Sequence, residues 1–158
     1  MILFCDTSAL VKLYILEDSS REMQTLAAAA TAIAVSRIAW AEMMAALARR
    51  ARECPSDTEA IETVRKRVRT DWPRYAVVEV TQPLVEMAGE FADTFALRGY
   101  DSVQLAAART LQDIAGEEVH FACFDMRLVK AARMLGMSGA TCSGRPSPMW
   151  RGQGSRAS

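Results

Sequence analysis

The stretch ILFCDTSALVKLY, residues 2–14, decides how the chain is read. Ile2, Leu3, Phe4 and Cys5 form a short unbroken apolar run, the pattern of a strand buried on both faces. At Asp6 the pattern changes. Over residues 7–16, Leu10, Leu13 and Tyr14 fall at helical spacing, with Thr7 or Ser8 able to cap the helix. A strand that runs through an Asp directly into a helix is the first half of a βαβ unit.

The rest of the chain repeats that alternation. A helix begins at about residues 19–22 and carries Met23, Leu26 and Ala30, and residues 32–35 then form a strand ended by Ser36. Helices follow over residues 37–53 and 56–71, broken at Cys54-Pro55 and ended near Trp72-Pro73. Residues 76–80 form a third strand, and Pro83 suits the first turn of the helix that continues to Leu97. After the turn at Arg98-Gly99-Tyr100, Asp101 opens a helix to about residue 113; residues 119–124 are a fourth strand, and residues 127–135 a helix closed by Gly136. Alternating strands and helices give an α/β fold with a parallel sheet covered on both faces. Residues 143–158 are dominated by Ser, Gly, Pro and Arg and are expected to form a flexible or disordered tail behind a single domain of residues 1–142.

Bulk properties narrow the function. With 158 residues, 51% apolar and 24% charged, the chain is long enough to bury a core of its own. Nineteen basic and 19 acidic residues cancel, which argues against a protein that coats nucleic acid through bulk charge. The cysteines Cys5, Cys54, Cys123 and Cys142 contain no C-x-x-C pair and have a single histidine, His120, to help them, so zinc is poorly supported. Cys5 and Cys123 are expected to be buried, reduced thiols. No basic, apolar leader opens the chain, and no stretch is long and apolar enough for a membrane span, which points to a cytoplasmic protein.

Four carboxylates stand out by position. Asp6 follows the first strand and Asp125 the fourth, and in open α/β sheets ligands bind at the carboxyl ends of strands. Glu42 is the only charge in IAWAEMMAALA, residues 38–48, with Ile38, Ala39, Ala45 and Ala46 around it on the helix. Asp101 is the only charge between Arg98 and Arg109. Taken singly, Asp6, Asp101 and Asp125 are also good helix caps, and Glu42 could face solvent. Taken together, four converging acids would repel one another by several kcal/mol unless a cation neutralised them. Oxygen ligands without His or Cys select Mg2+ or Mn2+, and such a site suits metal-assisted hydrolysis of a phosphodiester. The hydroxyls of Thr7 and Ser8, beside Asp6, are placed either to orient a carboxylate or to cap the helix.

The segments FCDTSALVKLY (residues 4–14), SRIAWAEMMAAL (36–47), RGYDSVQLAAA (98–108) and FACFDMRLVKAARMLG (121–136) resemble the four acidic blocks of PIN domains, and more closely those of the VapC toxins of bacterial type II toxin–antitoxin systems. The likeness covers about residues 1–142 in order. It implies a three-layer α/β/α sandwich around a central parallel sheet of 4–5 strands and a Mg2+-dependent ribonuclease, with Mn2+ as a possible substitute. It puts the catalytic, metal-binding acids at Asp6, Glu42, Asp101 and Asp125, with Ser8 supporting the first. It also implies an RNA substrate, a cognate VapB-type antitoxin and a homodimer. Ser102 stands where Ala is common in the family, and the Arg-rich end beyond Cys142 matches nothing in it.

Eight basic residues (Arg49, Arg50, Arg52, Arg65, Lys66, Arg67, Arg69 and Arg74) share residues 49–74 with five acids. That surplus suits RNA phosphates, and equally a solvated helix face with internal ion pairs. Two other readings compete with the ribonuclease. An aspartate-nucleophile phosphatase also places an Asp after its first strand, but wants a second acid where Ser8 stands. A non-catalytic α/β binding module has no need to keep four acids together.

Overall fold

The computed structural model describes residues 1–140, so the expected tail over residues 143–158 lies outside the described residues, as does Cys142. Five parallel strands form one sheet: β1 (Ile2–Cys5), β2 (Ala32–Ser36), β3 (Ala76–Val78), β4 (Val119–Ala122) and β5 (Ser138–Ala140), in the order β3-β2-β1-β4-β5. Between the strands run α1 (Thr7–Val11), α2 (Ser20–Ala29), α3 (Ala39–Glu53), α4 (Thr58–Asp71), α5 (Gln82–Phe95), α6 (Gly99–Ile114) and α7 (Met126–Met134).

The side-chain alternation of the central strands sorts the helices into two layers. Leu3, Cys5, Val35 and Ala122 point to one face and pack with Ala9, Leu10, Met23, Met43, Leu47, Ile61 and Val68 of α1–α4. Phe4, Ala34 and Phe121 point to the other and pack with Leu84, Ala88, Leu105 and Leu128 of α5–α7. Phe4 lies opposite Phe121 in the β1–β4 register, and their rings stack with centroids 5.7 Å apart. Right-handed crossovers require this division. The chain moves outward from β1 to β2 and β3 with helices on one face, then returns to the far side of β1 with helices on the other. The order of strands therefore reverses between β1 and β4, and the carboxyl ends of these two neighbours open the crevice where such sheets bind ligands.

Several expected boundaries move. The first helix ends at Val11, not near Leu16, because Lys12, Leu13 and Tyr14 donate three residues back, to Ala9, Leu10 and Val11, in a tightening turn. That turn carries Lys12 inward, where its ammonium meets Glu17 Oε1 at 2.9 Å and the Asp18 carbonyl at 2.8 Å. The third and fourth strands stop at Val78 and Ala122, short of the expected residues 80 and 124. β5 carries no run of apolar residues and was not expected as an element; it forms because Gly136, at φ 79°, turns the chain back beside β4.

Candidate active site

The four acids arrive from separate elements, each for a local reason. Asp6 is the first residue after β1 and the N-cap of α1, its Oδ1 accepting from the Ala9 N–H at 2.8 Å. Of the two roles open to Thr7 and Ser8, capping the helix and orienting a carboxylate, the second is found: neither caps α1, and each hydroxyl turns to a carboxylate. Ser8 Oγ donates to Asp6 Oδ1 at 2.6 Å and accepts from the Phe124 N–H at 3.2 Å, so one hydroxyl ties the end of β1 to the loop after β4. Thr7 Oγ1 donates to Glu42 Oε2 on α3. Asp125 is the N-cap of α7, accepting from the N–H groups of Arg127 at 2.8 Å and Leu128 at 3.3 Å. Asp101 does not open its helix. α6 begins at Gly99, which puts Asp101 in the first turn, where the helix dipole favours a carboxylate.

The acids feel one another. Asp6 is only 7% exposed, and its carboxyl is pushed up to about 6, chiefly by burial. The hydrogen bonds from Ser8, Ala9 and the Cys123 thiol work against that rise, and the charge of Asp101 adds to it. Asp101 is also raised, by burial first and then by Asp125; Arg98 opposes the rise and Glu42 adds to it. Asp101 is thus the member that couples electrostatically to each of the other three acids. Convergence has a limit, however. Among the described residues, no three or more His, Cys, Asp or Glu side chains stand close enough to form a ready-made metal cage.

This donor set fits a hydrated divalent cation. Magnesium keeps several of its waters and takes one or two carboxylates, so it does not require a closed protein cage. The donors are hard oxygens. The nearby Cys123 thiol is held well above its ordinary range by burial and by the charge of Asp6, which withholds a soft thiolate ligand. A buried acceptor with no donor among the described residues, Gln104 Oε1, suits the O–H groups that a hydrated ion brings.

Gln104 is the residue that sequence reading missed. Its Nε2 lies 2.7 Å from Glu42 Oε2 and 3.1 Å from Thr7 Oγ1. The available signal was a lone amide one helical turn beyond Asp101, in the otherwise apolar run Val103 to Ala108. Cys5 and Cys123 are buried free thiols, as expected, and His120 meets Ser138 Oγ at 3.2 Å between β4 and β5. Part of the basic surplus over residues 49–74 is used locally: Arg50 pairs with Asp57, Arg65 with Glu62 and Arg74 with Asp71, while Arg67 lies over the Tyr14 ring.

Known proteins share this fold. The PIN domain family matches residues 3–133. Two curated relatives from Mycobacterium tuberculosis, ribonuclease VapC45 of strain CDC 1551 and ribonuclease VapC49 of strain H37Rv, are each 32% identical over 135 residues, covering 85% of this chain and 92% of theirs. Among solved structures the fold is similar to FitAcB from Neisseria gonorrhoeae (TM-score 0.62, 15% identity, 89% of this chain and 97% of that one). It is also similar to VapBC2 from Rickettsia felis bound to a promoter DNA fragment (TM-score 0.60, 16% identity, 89% and 98%). A toxin–antitoxin complex from Klebsiella pneumoniae gives a TM-score of 0.58 at 20% identity, covering 79% of this chain and 87% of that one. The sheet order, the acids at its switch point and these relatives agree: the chain belongs to the PIN domain family, in its VapC-type branch.

Proposed function

We propose that this protein is a magnesium-dependent endoribonuclease, the toxin of a type II toxin–antitoxin pair, that hydrolyses RNA phosphodiester bonds in the cytoplasm. One observation carries the reading: Asp6 after β1, Glu42 on α3, Asp101 on α6 and Asp125 at the cap of α7 gather at a sheet switch point, where the carboxyls of Asp6 and Asp101 are both raised, by burial first and then by the charges of neighbouring acids. Crowding of that kind costs stability and suits a site whose business is a cation. The ribonuclease relatives at 32% identity support RNA as the substrate.

In this reading Asp6 and Asp101 hold the ion, with Glu42 and Asp125 completing the set. When bound, the cation supplies charge to polarise the phosphodiester and to acidify the attacking water. The chain's own part is positional. Ser8 fixes the Asp6 carboxylate, Thr7 and Gln104 fix Glu42, and α7 fixes Asp125 through its first N–H groups. Attack by water forms one P–O bond and breaks another; a carboxylate of the set accepts the water's proton, and the departing RNA oxygen leaves with the bonding pair and takes a proton from solvent. A VapB-type antitoxin and a second copy of the chain are the proposed protein partners, and the toxin–antitoxin complexes among the fold relatives support the first.

Cleavage of a fluorescent RNA by the purified chain tests the proposal. Asp101→Asn should lower the rate at least about 100-fold with the fold intact by circular dichroism, and chelation should stop the wild type until Mg2+ is restored. Undiminished cutting in EDTA would exclude the metal mechanism.

A further inference from the structure

Gln104 sits on α6 one turn beyond Asp101, and its side chain is 3% exposed. Its amide orientation follows from its neighbours. Thr7 gives its single hydroxyl proton to Glu42 Oε2, so it must accept from Gln104, and the carboxylate is an acceptor only. Reversing the amide would set Oε1 against both. Glu42 Oε2 therefore receives two neutral donors, one from α1 and one from α6, while its other oxygen takes no hydrogen bond from the described residues.

We infer that Gln104 is a positioning residue: it holds the Glu42 carboxylate by one oxygen so that the other faces a divalent cation. The inference rests on the proposed metal site and extends it. The residue type is informative. A Lys or Arg at this position would neutralise Glu42 and compete with the cation, whereas an acid would add a further repelling charge to the crowd. An apolar side chain would leave Glu42 with Thr7 alone, and a carboxylate held by one hydroxyl is free to rotate. A neutral amide holds the carboxylate without cancelling its charge. Through it, α6 presents one acid of its own, Asp101, and fixes a second that belongs to α3.

The test uses the full chain and Mn2+ as the probe, followed by electron paramagnetic resonance or calorimetry in the absence of RNA. Gln104→Met keeps the volume and removes the donor, and it should weaken Mn2+ binding about 10-fold, the usual size of an effect exerted through a ligand. Gln104→Asn keeps the amide but loses its reach; it should weaken binding similarly and serves if the Met variant does not fold. Glu42→Gln combined with Gln104→Met should lose far less than the product of the two single losses, because Gln104 acts chiefly through Glu42. Unchanged affinity in the Gln104 variants, or losses that multiply in the double variant, would overturn the assignment while leaving the metal site standing. A wild-type chain that binds no Mn2+ would overturn both.

Discussion

Replacing Asp6 by Asn should make the protein more stable while destroying its activity. The carboxyl of Asp6 is raised from the 3.8 of a free aspartate to about 6, mainly by burial, with the charge of Asp101 adding to the rise. At roughly 1.4 kcal/mol for each tenfold change in proton affinity, the folded chain without a cation bears a cost of about 3 kcal/mol for keeping Asp6 ionised. The sign follows from linkage. Because the folded state binds the proton more tightly than the unfolded state, this cost is absent below about pH 4, grows through the interval up to about pH 6 and is complete above it. Asn has the same shape, and its Oδ1 still accepts from Ala9 and Ser8. Its buried NH2 needs a partner, which returns about 1–2 kcal/mol of the gain. The expected net gain at pH 8 in EDTA is therefore about 1–2 kcal/mol, or a Tm higher by about 3–6 °C for a chain of this size. The assay is a pair of urea titrations at pH 8 and pH 4.5, with both proteins in EDTA. A variant less stable than wild type at pH 8, or a difference independent of pH, would refute the view that these acids strain the fold.

Two further perturbations test how the site is held. Ser8→Ala removes the hydroxyl that joins Asp6 to the Phe124 N–H, and cleavage should fall about 10-fold with little change in the unfolding midpoint; a rate equal to wild type would show that Asp6 needs no such support. Lys12→Ala deletes a buried ammonium that pairs with Glu17 and lies 4.5 Å from the centre of the Phe124 ring, leaving Glu17 largely covered and without its partner. Urea unfolding should show a loss of about 3 kcal/mol, and a loss under 1 kcal/mol would mean that the pair contributes little.

The parts of this molecule that were legible in sequence share one property: their pattern is set by burial. β1, β2 and β4 are apolar runs because both sheet faces are covered, and the helices alternate with them at the spacing their packed faces require. β5, with the sequence Ser138-Gly139-Ala140, has no such signature. It is a short edge strand whose place is set by the Gly136 turn and by the free edge of β4, neither of which leaves an apolar run. The early end of α1 was hidden for a similar reason. Residues 12–14 keep helical spacing, and the turn that tightens there, with Lys12 brought in to Glu17 and Asp18, rests on polar contacts that apolar spacing does not register.

The acids pose a subtler difficulty, because for two of them a structural duty stands where the chemical reading also falls. Asp6 and Asp125 each cap a helix with Oδ1, and each does so at the carboxyl end of a strand beside the sheet's switch point. A βαβ turn needs a capping acceptor there in any case. A fold that places an aspartate at the cap also sets a carboxylate at the carboxyl end of a strand without a separate loop to carry it. Asp101 and Glu42 separate the two roles, since neither has a capping hydrogen bond: Asp101 lies inside the first turn of α6, and Glu42 lies within α3, held by the side chains of Thr7 and Gln104. Two acids without a capping duty, electrostatically coupled and next to two that have one, are what a general need for helix caps does not explain. That surplus is the physical argument for a cation.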